Sequence, residues 1–381
     1  MVDSAAAALA VITTLRAAGH EAFLVGGCVR DQLLGRPVHD HDVATSAHPD
    51  QVLALFARTI AVGKAFGVVV VVGPSEVSTE VATYRADGVY IDGRRPTDVV
   101  FTTAAGDVAR RDFTVNALLQ DPLTGAIIDH VGGRADLQQR ILRAVGDPLA
   151  RLREDRLRVL RALRFAAVLG FTIEPITWAA VLSTTLDGIS RERVLEEWRK
   201  ALTAGAGAAF LRLLDQSGHL QEVTPGAATT QVDLLAKLAT APVLVQVAAW
   251  LLPLGAAGAQ VWLNQEPVPV TWRRDLPWLI TWGPRLRDLD QGQRRRLLRD
   301  PRGEALAALA VALGDVPGAD TDWLGEARRY PACPVTATVL LAAGLPPGPA
   351  LGSALEMAQV IWFNGFSGSS QDLTKTVMTA L

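Results

Sequence analysis

The chain has 381 residues, enough to bury a core and to divide into two or more domains. It is 49% hydrophobic and 20% charged, which excludes a disordered chain, and its formal net charge of −2 excludes a uniformly basic polyelectrolyte binder; any surface for nucleic acid must be a local patch. Two cysteines, Cys28 and Cys333, exclude a disulfide scaffold and a zinc site built on cysteine.

Residues 1–20 lack a basic start followed by an apolar run and a small-residue cleavage site. No apolar run is expected to reach the roughly 18–20 residues of a membrane span, since Ala239–Gly255 is interrupted by Pro242, Gln246 and Pro253. A soluble cytoplasmic protein is the expectation.

Residues 5–18 are rich in Ala and Leu and predict a helix ending at Gly19. Ala22–Val25 is a short apolar strand stopped by Gly26-Gly27. Val29–Leu34 predicts one or two helical turns, ended by Gly35 with Pro37 beyond, and Asp40–Ala44 a second short strand. Pro49–Phe56 has helical spacing, whereas Phe66–Val72, Glu76–Tyr84 and Val99–Thr102 read as strands around a polar loop, Arg85–Thr97. After about residue 145 helical periodicity dominates without a convincing strand, and residues 149–169 form the clearest helix. The shift marks a mixed α/β head followed by an all-α remainder.

Asp40 and Asp42 stand two apart on a predicted strand, so both side chains face one way. Such a pair can share hard cations with phosphate oxygens, and two metal ions together can activate a hydroxyl and stabilise a leaving pyrophosphate. Two surface aspartates on an edge strand are the plainer reading of the pair alone. Gly26-Gly27 just upstream lets backbone N–H groups approach phosphates, and Arg30 can hold a phosphate or pair with Asp31. His39 and His41 interleave with the aspartates but point the other way on a strand, which assigns them to packing or a hydrogen bond. Glu80 is either a third carboxylate or a strand-face charge.

Between Arg134 and Arg164 lie nine arginines against four acids. Most read as solvated face or phosphate contacts. Asp155 and Arg158, at i and i+3, share a helical face and form either a salt bridge or a base reader. A carboxylate accepts an exocyclic amine and a guanidinium donates to a ring nitrogen, a pattern that fits cytosine and adenine and rejects uracil and guanine. Further on, Arg285, Arg287, Arg294, Arg295, Arg296, Arg299 and Arg302 form a dense basic stretch, which reads equally as a patch for RNA phosphates or as a solvated helix face.

Four ordered motifs carry a resemblance. Leu24-Val25-Gly26-Gly27-Cys28-Val29-Arg30-Asp31 is followed by Leu33-Leu34-Gly35-Arg36 and by Asp40-x-Asp42-x-x-Thr45. Arg110-Arg111-Asp112-Phe113-Thr114-x-Asn116-Ala117 comes next, then Glu154-Asp155-x-x-Arg158-x-x-Arg161-Ala162-x-Arg164-Phe165, then Ser190-x-Glu192-Arg193-x-x-x-Glu197. Together they resemble the class II tRNA nucleotidyltransferase and bacterial poly(A) polymerase family, over about residues 22–200. His41 departs from the family, which usually has an apolar or aromatic residue between the aspartates.

The resemblance implies an α+β protein: a polymerase-β-like head over 1–145, a helical neck with a base-recognition helix over 146–205, a helical body over 206–290 and a tRNA-binding helical tail over 291–381. It implies that Asp40 and Asp42 are catalytic and bind Mg2+. It further implies that Gly26, Gly27, Arg30, Arg110, Arg111, Asp112 and Asn116 hold triphosphate and ribose, and that Asp155, Arg158, Arg161 and Arg164 serve nucleotide recognition. The Ser190 motif is expected to support the neck. A late element, Gly344-Leu345-Pro346-Pro347-Gly348-Pro349-x-Leu351-Gly352, resembles one that opens a helix in the tail. The activity implied is template-independent addition of CCA to the tRNA 3′ end from CTP and ATP. A flexible loop with Asp92, Gly93 and Arg94 favours inclusion of the terminal A, because relatives that add only CC tend to have it shortened. A-only or CC-only addition and polyadenylation are the alternatives inside the family; a catalytically silent RNA-binding protein or a metal-dependent phosphohydrolase are those outside it.

Overall fold

The computed structural model describes residues 4–73, 76–88, 99–314 and 322–381; Asp92, Gly93 and Arg94 of the expected loop lie outside the described residues. The chain divides into two compact units, Met1–Trp198 with Leu213–His219, and Arg199–Arg212 with Leu220–Leu381.

The first unit opens with α1 (Ser4–Ala17), whose Ala8, Val11, Ile12 and Leu15 recur at helical spacing and are buried. Arg16 in its last turn donates to the Ala22 carbonyl at 2.8 Å and pairs with Asp121, fixing the helix at the start of the next strand. Then come β1 (Ala22–Val25), α2 (Gly27–Leu33), β2 (Asp42–Thr45), α3 (Pro49–Leu55), β3 (Thr59–Gly63), β4 (Val68–Val72) and β5 (Ser78–Thr83). The hairpin β6 (Arg85–Asp87) and β7 (Val99–Phe101) and the helix α4 (Ala104–Ala109) follow. Next are β8 (Leu119–Gln120), β9 (Ile127–Ile128), α5 (Gly133–Gln139) and β10 (Ile141–Leu142). Finally come α6 (Pro148–Glu154), α7 (Leu157–Leu169), β11 (Thr172–Ile173), α8 (Pro175–Leu182) and α9 (Arg191–Thr203), the last running past Trp198.

Seven strands form one sheet in the order β3-β4-β5-β2-β1-β8-β9. Only β2 and β5 are parallel, and every other neighbour is antiparallel. Valine makes β4 a strand by crowding, and its alternate residues Val69 and Val71 are buried. Val25, Ala44, Tyr84, Val108, Ala117, Leu119 and Val145 pack into one core cluster that ties sheet, α4 and the chain beyond it.

Several elements differ from the sequence expectation. The second strand begins at Asp42, because β1 ends at Val25 opposite it and the Gly26 N–H turns to Leu118 instead, leaving Asp40 without a ladder partner. The strand expected from Phe66 begins at Val68, after a 3-10 turn over Lys64–Phe66 and Gly67 at φ 81°. Strand β3 was not expected, and the two-residue β11 pairs with β10 beyond the point where strands seemed to end. The long helix over 149–169 is two helices. Asp155 is extended (φ −139°, ψ 103°), and its carboxylate accepts from the Leu157 N–H at 3.1 Å, a local bond that competes with the helical one.

From Gly207 the chain is helical: α10 (Gly207–Gln216), α11 (Leu220–Val223), α12 (Val232–Lys237), α13 (Val243–Leu251), α14 (Gly255–Gln265), α15 (Val270–Trp282), α16 (Gln291–Leu298), α17 (Gly303–Leu313), α18 (Trp323–Arg329), α19 (Ala337–Ala342), α20 (Pro349–Phe363) and α21 (Ser370–Ala380). Helix α20 starts at Pro349 behind Gly348, inside the late glycine-proline element. Contrary to the sequence expectation, one apolar helical run, Val243–Gln265, is 23 residues long and matches a membrane span in length and composition. A 3-10 turn over Leu252–Leu254 joins α13 to α14 there, so Pro253 does not part them. The side chains from Val245 to Leu251 are all buried, as in a core helix. Val335, Leu340, Ala354, Ala358, Leu373 and Val377 close a second core at the C-terminal end.

Candidate active site

Strand β1 ends in a turn that only glycine makes easily. Gly26 stands at φ 80°, ψ −130°, and a β-carbon there would lie 3.4 Å from a terminal nitrogen of Arg111. Beneath the turn Cys28 is 5% exposed, with its Sγ 3.3 Å from the Val25 carbonyl.

Asp42 is the first residue of β2. Val43 is paired with Val81 in the parallel ladder, so Glu80 of β5 stands beside Asp42, and both are exposed on the same side of the sheet. Asp42 is open to water at the strand's start, yet the protein mass behind it still desolvates it. That desolvation, with the charges of Glu80 and Asp40, pushes its carboxyl up to about 6 against the pull of Arg111. The donors gathered here are carboxylate oxygens alone, a hard set that suits a divalent ion of the magnesium type. A bound cation would oppose both the desolvation and the repulsion that raise Asp42. Among the described residues no three His, Cys, Asp or Glu are drawn close enough to hold an ion by themselves. His41 turns to α1, its Nδ1 2.9 Å from the Ser4 Oγ, while His39 is exposed.

The second motif sets one guanidinium, that of Arg111, against this turn. Helix α4, capped by Thr103, presents Asp107 one turn before Arg110 and Arg111. One carboxylate oxygen of Asp107 takes Arg110 at 2.6 Å and the other takes Arg111 at 3.0 Å. Burial would push Asp107 up, but the two guanidiniums outweigh it and hold the carboxyl below its usual range. Asp112, also buried, accepts from the Phe113 N–H at 2.8 Å, from the Asn116 amide at 3.2 Å and from Arg161 at 2.8 Å. Burial opposes ionisation here too, and Arg161, with the Asn116 amide and the Phe113 N–H, more than offsets it, bringing the carboxyl to about 2. Asn116 in turn accepts from Arg30 at 2.5 Å, and Arg30 pairs with Asp31 at 2.7 Å while remaining buried. Arg30, Arg161 and Arg164 all lie over the Phe165 ring, at 5.1, 5.3 and 4.0 Å from its centroid.

The Asp155 and Arg158 side chains pair with other residues and not as the helical spacing implied, since Asp155 lies in the break between α6 and α7. Asp155 pairs with Arg193 of α9 at 2.7 Å. Arg158, buried at the start of α7, pairs with Glu154 at 2.6 Å and donates to the Arg151 and Arg110 carbonyls. The motif assigned to neck support therefore supplies the partner of the proposed base reader. Its Glu197 also holds Arg164 at 2.5 Å.

Several residues of this constellation escaped the sequence reading. Asp107 left a signal, an acid at i−3 and i−4 from an arginine pair. Arg151 left none: it donates to the carbonyls of Ala109, Arg110 and Val145, contacts set only by the fold. Phe165 is visible only as the aromatic end of a motif.

The basic stretch of the second unit is differently employed. Arg295 pairs with Glu326 and donates to the Phe363 carbonyl. Arg296 pairs with Glu356. Arg299 donates to the carbonyls of Ala327 and Tyr330. Arg302 pairs with Asp300 and lies 4.0 Å over the Trp278 ring. Arg296, Arg299 and Arg302 also line a cleft of about 540 Å³ with Trp278 and Glu356.

Carboxylates at the start of a central strand, a glycine turn beside them and carboxylate-held arginines after α4 form a site whose chemistry suits a metal ion and phosphate groups. Residues 22–143 match the Poly A polymerase head domain, and residues 170–230 match the probable RNA and SrmB-binding site of polymerase A. The CCA-adding enzyme of Geobacillus stearothermophilus is 37% identical over 353 residues, covering 90% of this chain and 79% of that protein. That of Anoxybacillus flavithermus is 45% identical over 231 residues, covering 60% of this chain and 57% of that protein. The crystal structure of the Bacillus stearothermophilus CCA-adding enzyme in complex with CTP superposes with a TM-score of 0.80 at 32% identity, over 98% of this chain and 96% of that one. The chain belongs to the CCA-adding enzyme family.

Proposed function

We propose that this chain adds CCA to the 3′ end of tRNA, using CTP and ATP and releasing pyrophosphate. The observation that carries this reading is that the Asp42–Glu80 carboxylates and the Asp107-held Arg111 lie at one glycine turn. Each cycle forms a bond from the tRNA 3′ oxygen to the α-phosphorus and breaks the bond from that phosphorus to the β-phosphate bridge. Asp40 and Asp42, with Glu80 beside them, would hold Mg2+, which when bound activates the attacking hydroxyl and offsets the charge of the leaving group. Arg110 and Arg111 receive the triphosphate as paired guanidiniums, and Gly26 and Gly27 leave room for it. Asp112 and Asn116 orient the ribose, braced by Arg30, Arg161 and Arg164. Asp155 and Arg158 read the base, and to do so they exchange Arg193 and Glu154 for the nucleotide edge. The helical remainder holds the tRNA, and the cytoplasm is the compartment where this substrate is met.

The test is to incubate tRNA transcripts lacking CCA, ending in CC, or complete, with each NTP and to sequence the products. Complete CCA on the first transcript is expected. Addition of A alone to the CC-ended transcript narrows the activity to A addition, and no incorporation on any transcript overturns the proposal. Asp40→Ala/Asp42→Ala is expected to lower incorporation by at least about a thousandfold with tRNA affinity retained. Arg158→Ala is expected to raise the ratio of UTP to CTP use; an unchanged ratio removes Arg158 from base selection.

A further inference from the structure

We propose that Asp107 is a positioning residue for catalysis: it sets the direction of both triphosphate arginines and ties them to the hairpin that precedes α4. The inference rests on the nucleotidyl-transfer reading above. Asp107 is 1% exposed, whereas the Arg110 and Arg111 side chains above it are 20% and 19% exposed. Its carboxylate oxygens are divided between them. Oδ1 accepts from the Nε and a terminal nitrogen of Arg110, at 3.0 and 2.6 Å. Oδ2 accepts from the Nε and a terminal nitrogen of Arg111, at 3.3 and 3.0 Å. Oδ1 also accepts from the Arg85 N–H at 3.3 Å, and Arg110 Nε donates to the Arg85 carbonyl at 2.9 Å. Arg85 opens β6, which is paired to β7 through Arg85↔Phe101.

The arrangement follows from charge. Two guanidiniums on adjacent residues repel each other, and a shared anion offsets that repulsion. A single buried carboxylate holds each by its inner edge and leaves a net positive charge for a polyanion. Arg111 is thereby set against Gly26, where a terminal nitrogen comes within 3.4 Å of the space a β-carbon would take. A merely structural ion pair would matter to folding alone; a positioning residue matters to how tightly the triphosphate is held.

The experiment compares Asp107→Asn with the unmodified chain. Readouts are KM and kcat for CTP and ATP, inhibition by inorganic pyrophosphate, the thermal midpoint and tRNA affinity. Loss of charge-assisted bonds is expected to raise KM for both nucleotides, and the pyrophosphate inhibition constant, by about tenfold or more, with tRNA affinity unchanged and kcat affected less. In an Arg111→Gln background the same substitution should add little. A folded Asp107→Asn protein with unchanged KM and unchanged pyrophosphate inhibition overturns the proposal, as does a fall in kcat and thermal midpoint at constant KM. Should Asp107→Asn fail to fold, Asp107→Glu decides: it keeps the charge but displaces the guanidiniums, so a raised KM supports positioning and an unchanged KM overturns it. Calorimetric binding of pyrophosphate to both proteins settles Asp107 even if the unmodified chain transfers no nucleotide, which separates this proposal from failure of the reading beneath it.

Discussion

In the first unit Arg110 and Arg111 share one buried carboxylate, and Arg161 is held by a second, Asp112, so that each guanidinium is anchored on a buried acid. In the second unit Arg295, Arg299 and Arg302 reach carbonyls, carboxylates and rings of neighbouring helices, and their charge is absorbed by packing. The difference teaches that density of arginine along a sequence is a poor guide to a binding surface. The run from Arg285 to Arg302 is the most basic of the C-terminal half, yet its members join α16 to α18 and α20. What marks these arginines of the first unit is the burial of their partners.

The largest expected effect is at Asp112. Asp112→Asn leaves Arg161 without its closest anion, and breaking such a buried pair costs about 3–5 kcal/mol, read as a lower urea midpoint. Its pH dependence sharpens the point. The folded carboxyl lies near 2, below the usual 3.8, so its contribution is present above the unfolded value and lost as pH falls from about 4 towards 2. The stability gap between the two proteins should therefore narrow by about 2 kcal/mol over that window. A gap that stayed constant with pH would remove Asp112 from the anions that hold the arginines of the first unit.

An intermediate effect is expected at Arg299, which donates to the Ala327 carbonyl at 2.9 Å near the end of α18 and lies over Phe363. Arg299→Ala should lower stability by about 1–3 kcal/mol with KM for CTP unchanged. A loss of tRNA affinity at constant stability would break the comparison, because the residue would then face RNA and not packing. The smallest effect is expected at Arg328, whose pair with Glu304 is 55% and 68% exposed. Arg328→Ala should change stability by less than about 0.5 kcal/mol.

What could be read in the sequence was local. The glycine turn, the aspartate pair and the Arg110–Asn116 run signal themselves through fixed short spacings, and the structure gathers them around β1, β2 and α4. What could not be read was set by distance along the chain. Arg161 finds Asp112 across 49 positions and Arg193 finds Asp155 across 38. The break at Asp155 was hidden for another reason: residues 149–169 contain neither Gly nor Pro, and the interruption comes from a side-chain bond that composition does not announce. Strand β3 was missed because an edge strand with exposed Ile60 lacks the alternation of a half-buried one.

The two thiols provide a built-in chemical clock. Cys28 is sealed beneath the glycine turn, while Cys333, in the other unit, is only half buried. An alkylating reagent added to the native protein will mark Cys333 early and reach Cys28 only when the turn opens, so the lag between the two adducts measures how often the β1–α2 end of the sheet breathes.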